Sequence, residues 1–104
     1  MKRIVQAPTS VSHARKIVER LQNESRFAAE YLKAAIEEDG DPHVLLIALR
    51  RIAEARGGAA KIARLAGVER ESLHRALSGR GNPRFSTLTA VAGAVGLRLT
   101  VEPI

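Results

Sequence analysis

Between Ala59 and Ser78 two short apolar-periodic segments, 59–66 and 70–78, are separated only by Gly67, Val68 and Glu69. Helices joined by so short a turn must cross at a steep angle, and a close crossing needs a small residue on the first of them. Ala63 supplies it. Gly67, four residues later, takes the left-handed backbone conformation the turn requires without steric cost. Ile62, Ala66, Val68, Leu73 and Ala76 are apolar where the pair must pack on the rest of the protein. The spacing predicts a helix-turn-helix over 59–78 whose structural positions are Ile62, Ala63, Ala66, Gly67, Val68, Leu73 and Ala76. An alanine-rich hairpin with no ligand would fill the same slots, so the outward face has to decide its role.

At 104 residues there is room for one domain and one core. Residues 1–10, with Pro8 and the polar pair Thr9-Ser10, read as an arm in which Ile4 and Val5 could add a short strand. Behind a cap at Ser10, Ala14, Ile17, Val18 and Leu21 recur at heptad-like spacing and predict a helix over 11–22. Asn23 or Ser25 caps a second helix striped by Phe27, Ala28, Tyr31, Leu32, Ala35 and Ile36. Asp39-Gly40 stops it, and Asp41-Pro42 opens a third, a capping carboxylate followed by proline at the first position. The third helix is apolar all round from Val44 to Leu49, which places its first half at the centre of the core, whereas Arg50, Arg51, Glu54 and Arg56 make its far end polar.

Gly57-Gly58 breaks the chain before the pair described above, and Gly79 to Pro83 forms a loop after it. A last helix over 85–95 buries Phe85, Leu88, Val91, Ala92 and Val95 on one face, and Gly96 closes it. From Leu97 to Glu102 the pattern switches to strict alternation, a lone strand signal in a helical protein. A single strand leaves its backbone unpaired and needs a partner: the N-terminal arm, a second copy, or another protein. The expected fold is all-α, about five or six helices with a short C-terminal β-strand. It divides into a basic arm and helix at 1–23 and a helix-turn-helix domain with its strand at 24–104.

The formal net charge of +6 is unevenly spread. Residues 1–26 carry six Lys/Arg against two Glu, 27–57 four against six acidic residues, and 58–104 seven against three. Basic ends of this kind imply a polyanionic partner, nucleic acid ahead of an anionic membrane. The lack of cysteine excludes disulfides, thiolate metal sites and a cysteine nucleophile. Neither a secretory signal nor a membrane-spanning run is present, so a soluble cytoplasmic protein is expected.

The second helix of the pair turns Arg70, Glu71, Ser72, His74 and Arg75 outward, all able to hydrogen-bond. Such a face can reach base edges in the major groove, where arginine pairs with guanine and a carboxylate accepts from cytosine. The following loop, 79–84, mixes the flexible backbone of Gly79 and Gly81 with Arg80, Asn82 and Arg84, which suit phosphate contacts, and these position a protein without reading sequence. Ser86 and Thr87 open the last helix, where free amides favour a phosphate or where the two act as plain caps. Lys61 and Arg64 lie on the helix that would cross the DNA backbone, unless they are only solvated charges.

Catalysis is not expected. His13, His43 and His74 have no metal-ligand spacing, no nucleophile has an evident base, and no glycine-rich phosphate loop follows a strand, so neither a metal nor another cofactor is anticipated. RNA reading usually needs exposed aromatics, and Phe27, Tyr31 and Phe85 all fall on stripes predicted to be buried. A pure protein-interaction module is countered by the arginines at 70, 75, 80 and 84.

Several of these residues, taken together, resemble a known family. Gly57-Gly58, Ile62-Ala63, Gly67-Val68, Arg70-Glu71-Ser72-Leu73, Ala76-Leu77-Ser78, Gly81-Asn82-Pro83, Phe85 and the run Gly96 to Val101 are similar to the addiction-module antidote proteins, HigA-like antitoxins with a lambda-repressor-type helix-turn-helix. Upstream, Ala29-Glu30-Tyr31-Leu32 and the acidic stretch from Glu37 to Asp41 extend the resemblance, which covers about residues 24–103. It implies a homodimer that binds double-stranded operator DNA in its own promoter and neutralises a RelE/HigB-like ribonuclease toxin by contact. Either the N-terminal helix or the strand at 97–101 would meet the toxin or the second subunit. The alternative is a stand-alone repressor with no toxin. Glu69 departs from the family, which has Ser, Thr or Asn at that cap, and the basic segment before residue 24 lies outside the resemblance.

Overall fold

A computed structural model describes residues 2–37 and 41–104, with side chains from Val11 onward. The order is α1 (Lys2–Asn23), α2 (Ser25–Glu37), α3 (Pro42–Ala55), α4 (Ala59–Ala66), α5 (Arg70–Ala76) and α6 (Phe85–Ala94). α3 begins as its sequence demands: Asp41 is extended, its carboxylate accepts from the His43 amide at 2.9 Å, and Pro42 occupies the first helical position. α1 and α2 pack on α3 and on each other, α6 lies along α4, and α5 packs on α4. One cluster joins the two groups, and Leu21, Leu49, Ile52, Ile62, Leu73, Leu77 and Val91 are its largest fully buried side chains. Leu21, on α1, thus belongs to the same core as α4 to α6. The residues of α3 that are buried are Leu46, Ala48, Leu49, Ile52 and Ala53, so the core centre extends into its second half rather than ending at Leu49.

Several expectations are corrected. α1 is helical from Lys2 and runs through Pro8 and Ser10, so neither an arm, nor a strand at Ile4-Val5, nor a cap at Ser10 is present. A proline inside a helix removes one amide donor, and the lysine, arginine, glutamine and alanine around this one still favour the helix. The alternating segment 97–102 has no regular secondary structure and forms no β-ladder, because no second strand lies beside it among the described residues. Phe85 is 72 % exposed, since it stands at the first residue of α6, where no described element covers it. Ile36 and Val18, also placed on buried stripes, are about half exposed. α5 ends at Ala76, two residues early, because the Ser78 hydroxyl and amide both bond the Arg75 carbonyl and turn the chain. The stop at Asp39-Gly40 lies outside the described residues.

Arg56 is not the solvated helix end its neighbours imply. Its Nε donates to the Leu21 carbonyl at 2.7 Å, its Nη1 to the Val95 carbonyl at 3.1 Å, and both Nη atoms lie 3.4 Å from Ser25 Oγ. One guanidinium therefore ties the end of α1 and the start of α2 to the end of α6.

Arg56→Ala leaves two part-buried carbonyls without that donor, and we expect a loss of about 2–3 kcal/mol in urea unfolding. Arg56→Lys, which cannot span all three sites, is expected to recover less than half of it. The hydrogen bond from the His43 amide holds the Asp41 carboxyl below its ordinary value of 3.8 against the opposing effect of desolvation, with a lesser contribution from the His43 ring. That capping contribution is complete above the ordinary carboxylate value and is lost as pH falls through the lower, folded one. A carbon-detected NMR titration should place the Asp41 midpoint below 3.8.

Candidate nucleic-acid interface

The geometry of α4, the turn and α5 starts from Gly67, at φ 74° and ψ 28°, the left-handed region. There the Gly67 amide donates to the Arg64 carbonyl at 3.3 Å and the Val68 amide to the Ala63 carbonyl at 3.0 Å, which closes α4 and turns the chain in one step. Glu69 then returns to extended backbone and its carbonyl accepts from the Leu73 amide at 2.9 Å. Ile62, Ala63 and Leu73 are buried, and Ala66, Val68 and Ala76 half-buried.

Arg70, Glu71, His74 and Arg75 are exposed along α5. Ser72 is half-buried and lies off that face. His74 sits at the edge, where it lines a small cleft with Arg50 and Glu54 of α3. The Glu69 side chain makes no capping bond, so the first amides of α5 lack a side-chain acceptor.

The loop from α5 to α6 is held rather than loose. The Gly81 amide donates to the Ser78 carbonyl at 2.9 Å, and a Cβ on Gly81 would overlap the carbonyl group of Ala76. Sequence reasoning took this glycine for flexibility and missed the close approach, although a glycine two residues before a proline was the available signal. From this held loop Arg80, Asn82 and Arg84 are exposed. Arg84 is the residue that precedes α6, extended and without a side-chain capping bond. Ser86 is exposed and Thr87 half-buried, and neither caps the helix. Their capping alternative therefore falls away, leaving the first amides of α6 without a side-chain partner. Arg64 is exposed on α4. Lys61 stands apart from this group, beside Gly57 and the C-terminal end of α6.

Among the described residues Arg64, Arg70, Arg75, Arg80 and Arg84 form no ion pair; the pairs that do form are Arg20 with Glu24 and His43 with Asp41. Guanidiniums left unneutralised together produce a positive local field. No cluster of potential metal ligands occurs among the described residues, and no described helix is long and apolar enough to cross a membrane. The exposure of Phe85 beside Arg84 weakens the aromatic argument against RNA, but one ring is not the stacking surface of two or three that single-stranded recognition uses.

The fold and this face define a small helical protein with a turn closed by backbone hydrogen bonds and a surface whose exposed arginines stand beside Glu69 and Glu71 without forming ion pairs among the described residues. The chain belongs to the family described as "probable addiction module antidote protein", which it matches over residues 11–103. The match begins within α1, earlier than the resemblance read from the sequence, in keeping with the burial of Leu21. The chain is also similar to an uncharacterised protein of Haemophilus influenzae strain Rd, 44 % identical over 72 residues that cover 69 % of this chain and 72 % of that one. No solved structure matches it.

Gly81→Ala should move the loop away from α5 at a cost of about 1–3 kcal/mol, the range for forcing a methyl into filled space. Thermal unfolding followed by circular dichroism measures it, with Gly79→Ala, which has open space around it, as the near-neutral control.

Proposed function

We infer that the protein is the antitoxin of a toxin–antitoxin pair and a sequence-specific operator-binding repressor of its own promoter. It acts in the cytoplasm as a homodimer without catalysis of its own, and neutralises a RelE/HigB-like toxin by direct contact. The observation that carries the DNA half is the exposed set Arg70, Glu71, His74 and Arg75 on a short helix fixed by the Gly67 turn. A helix so held enters the major groove with its polar face against base edges, as in lambda-repressor-type domains. Arg80, Asn82, Arg84 and the uncapped start of α6, with Ser86 and Thr87, would then meet phosphates, and Arg64 of α4 the backbone, while Lys61, at the far end of α6, stays out of that contact. Ser72, half-buried, would take a lesser part in base reading. The antitoxin half is supported by membership of the antidote family. The same face serves equally a repressor with no toxin, and the two readings separate by experiment.

Co-expression with the product of the adjacent gene, followed by growth measurement and affinity capture, tests the antitoxin role. Rescue of growth and a co-purifying toxin are expected, and neither would occur for a stand-alone repressor. In gel shifts on the promoter, Arg75→Ala is expected to weaken binding by about 1–3 kcal/mol and to relax specificity at one base pair. Arg84→Ala should instead weaken specific and random DNA alike and lower the salt slope by about one. Equal losses on both DNAs for Arg75→Ala would reassign that residue to the phosphates.

A further inference from the structure

The Leu97 amide closes α6 by donating to the Ala92 carbonyl at 2.8 Å, and beyond it, from Arg98 to Ile104, the backbone makes no hydrogen bond to the described residues. The segment nevertheless keeps the alternation of a strand. Leu97 and Leu99 are half-buried against the core, and Arg98, Thr100 and Glu102 are exposed. Val101 belongs by alternation to the inward set and yet is 93 % exposed. It lies in a groove along α2 beside Ile36, which is 47 % exposed.

We propose that this segment pairs antiparallel with the same segment of a second copy, about a twofold axis at Thr100. The inference deepens the dimer reading above and rests on it. In that register Thr100 faces the partner's Thr100, Arg98 faces the partner's Glu102, and Glu102 the partner's Arg98. Each is a favourable cross-strand pair, and the two ion pairs arise from one sequence meeting itself. On the opposite face of the ribbon Val101 lies across from the partner's Leu99, above the partner's α2, which gives this exposed valine an apolar neighbour.

The hydrogen-bonding pattern favours the edge of the strand that this register uses. Antiparallel pairs alternate between bonded and non-bonded, so bonds made by Arg98, Thr100 and Glu102 leave Leu97, Leu99, Val101 and Pro103 on the non-bonded positions. Pro103, with no amide proton, loses nothing there. Pairing along the other edge would need that missing proton. Centring the axis on residue 98 or 102 sets Arg against Arg or Glu against Glu, and centring it on 99 or 101 leaves both charges without an opposite. A strand from another protein would have to supply this complementarity, whereas a second copy contains it already.

Sedimentation equilibrium on the full chain tests the register. Arg98→Glu alone and Glu102→Arg alone each set like charges opposite one another at two symmetric places and should weaken the dimer on the order of tenfold. The double variant Arg98→Glu/Glu102→Arg should restore it. Both side chains are exposed and make no hydrogen bond or ion pair among the described residues, so the helical content of the folded chain should stay as in the parent. The chain has no cysteine, so Thr100→Cys should give a single disulfide-linked dimer on mild oxidation, the Cα separation of a bonded antiparallel pair being within disulfide reach. A monomer at every concentration, single variants that dimerise like the parent, or a double variant no better than the singles would overturn the proposal. So would a dimer untouched by the variants whose toxin capture is lost, because the segment would then pair with the toxin. Self-association is read without DNA, so failure to shift promoter DNA counts against the repressor reading alone.

Discussion

The guanidinium of Arg56 gathers helix ends from both halves of the molecule. The ends of α1 and α6 present carbonyl oxygens to it, at Leu21 and Val95, and the start of α2 presents Ser25 Oγ. The last carbonyls of a helix have no partner within it and carry the negative end of its dipole, so a cation between two such ends answers both deficits. Arginine can do this where lysine cannot, because its planar fork directs several donors at once and never loses its charge. The C-terminal end of α6 is thereby tied to α1, and α4 packs along α6, so the pose of α5 and of the loop after it follows from this contact. The face proposed to meet DNA is set by a bond made at the opposite end of α6.

The cations of the two halves are used differently, which total charge does not reveal. In the first half Arg20 pairs with Glu24 and lies 3.9 Å from the centre of the Phe27 ring, and Arg51 donates to the Tyr31 hydroxyl at 3.0 Å. With Arg56, whose bonds to Leu21 and Val95 are part-buried, these guanidiniums make contacts within the chain. The arginines of α4, α5 and the following loop make no such contacts among the described residues. Arg15, Lys16, Arg26 and Lys33 are likewise exposed and form no ion pair among the described residues, so what separates the two halves is the set of contacts made by Arg20, Arg51 and Arg56.

What was legible in the sequence was the punctuation. Gly57-Gly58, Gly67, Gly96 and Asp41-Pro42 mark helix boundaries because each imposes a backbone state that few other residues take, and the structure places helix ends at all of them. The positions of the α4–α5 pair were legible for the same reason: its short turn leaves little freedom. Arg56 was not, because its role depends on three segments far apart in sequence, and nothing local separates it from Arg50 or Arg51. Gly81 was misjudged because a glycine that permits contact looks the same in sequence as one that permits motion.

The remaining misreadings share one physical cause. Val18, Ile36 and Phe85 lie on the helices their periodicity predicts and yet are exposed, and the segment 97–102 alternates as a strand would and yet forms none. Periodicity reports which face an element could bury; it carries no information on whether a neighbour is there. For Phe85 the neighbour is missing because the helix has only begun. For the strand the shortage is of another kind, since a ladder takes two strands and one chain provides a single alternating segment. In the dimer proposed above, the charges, the threonine and the proline of the segment from Leu97 to Pro103 become mutually consistent once a second copy is set against it.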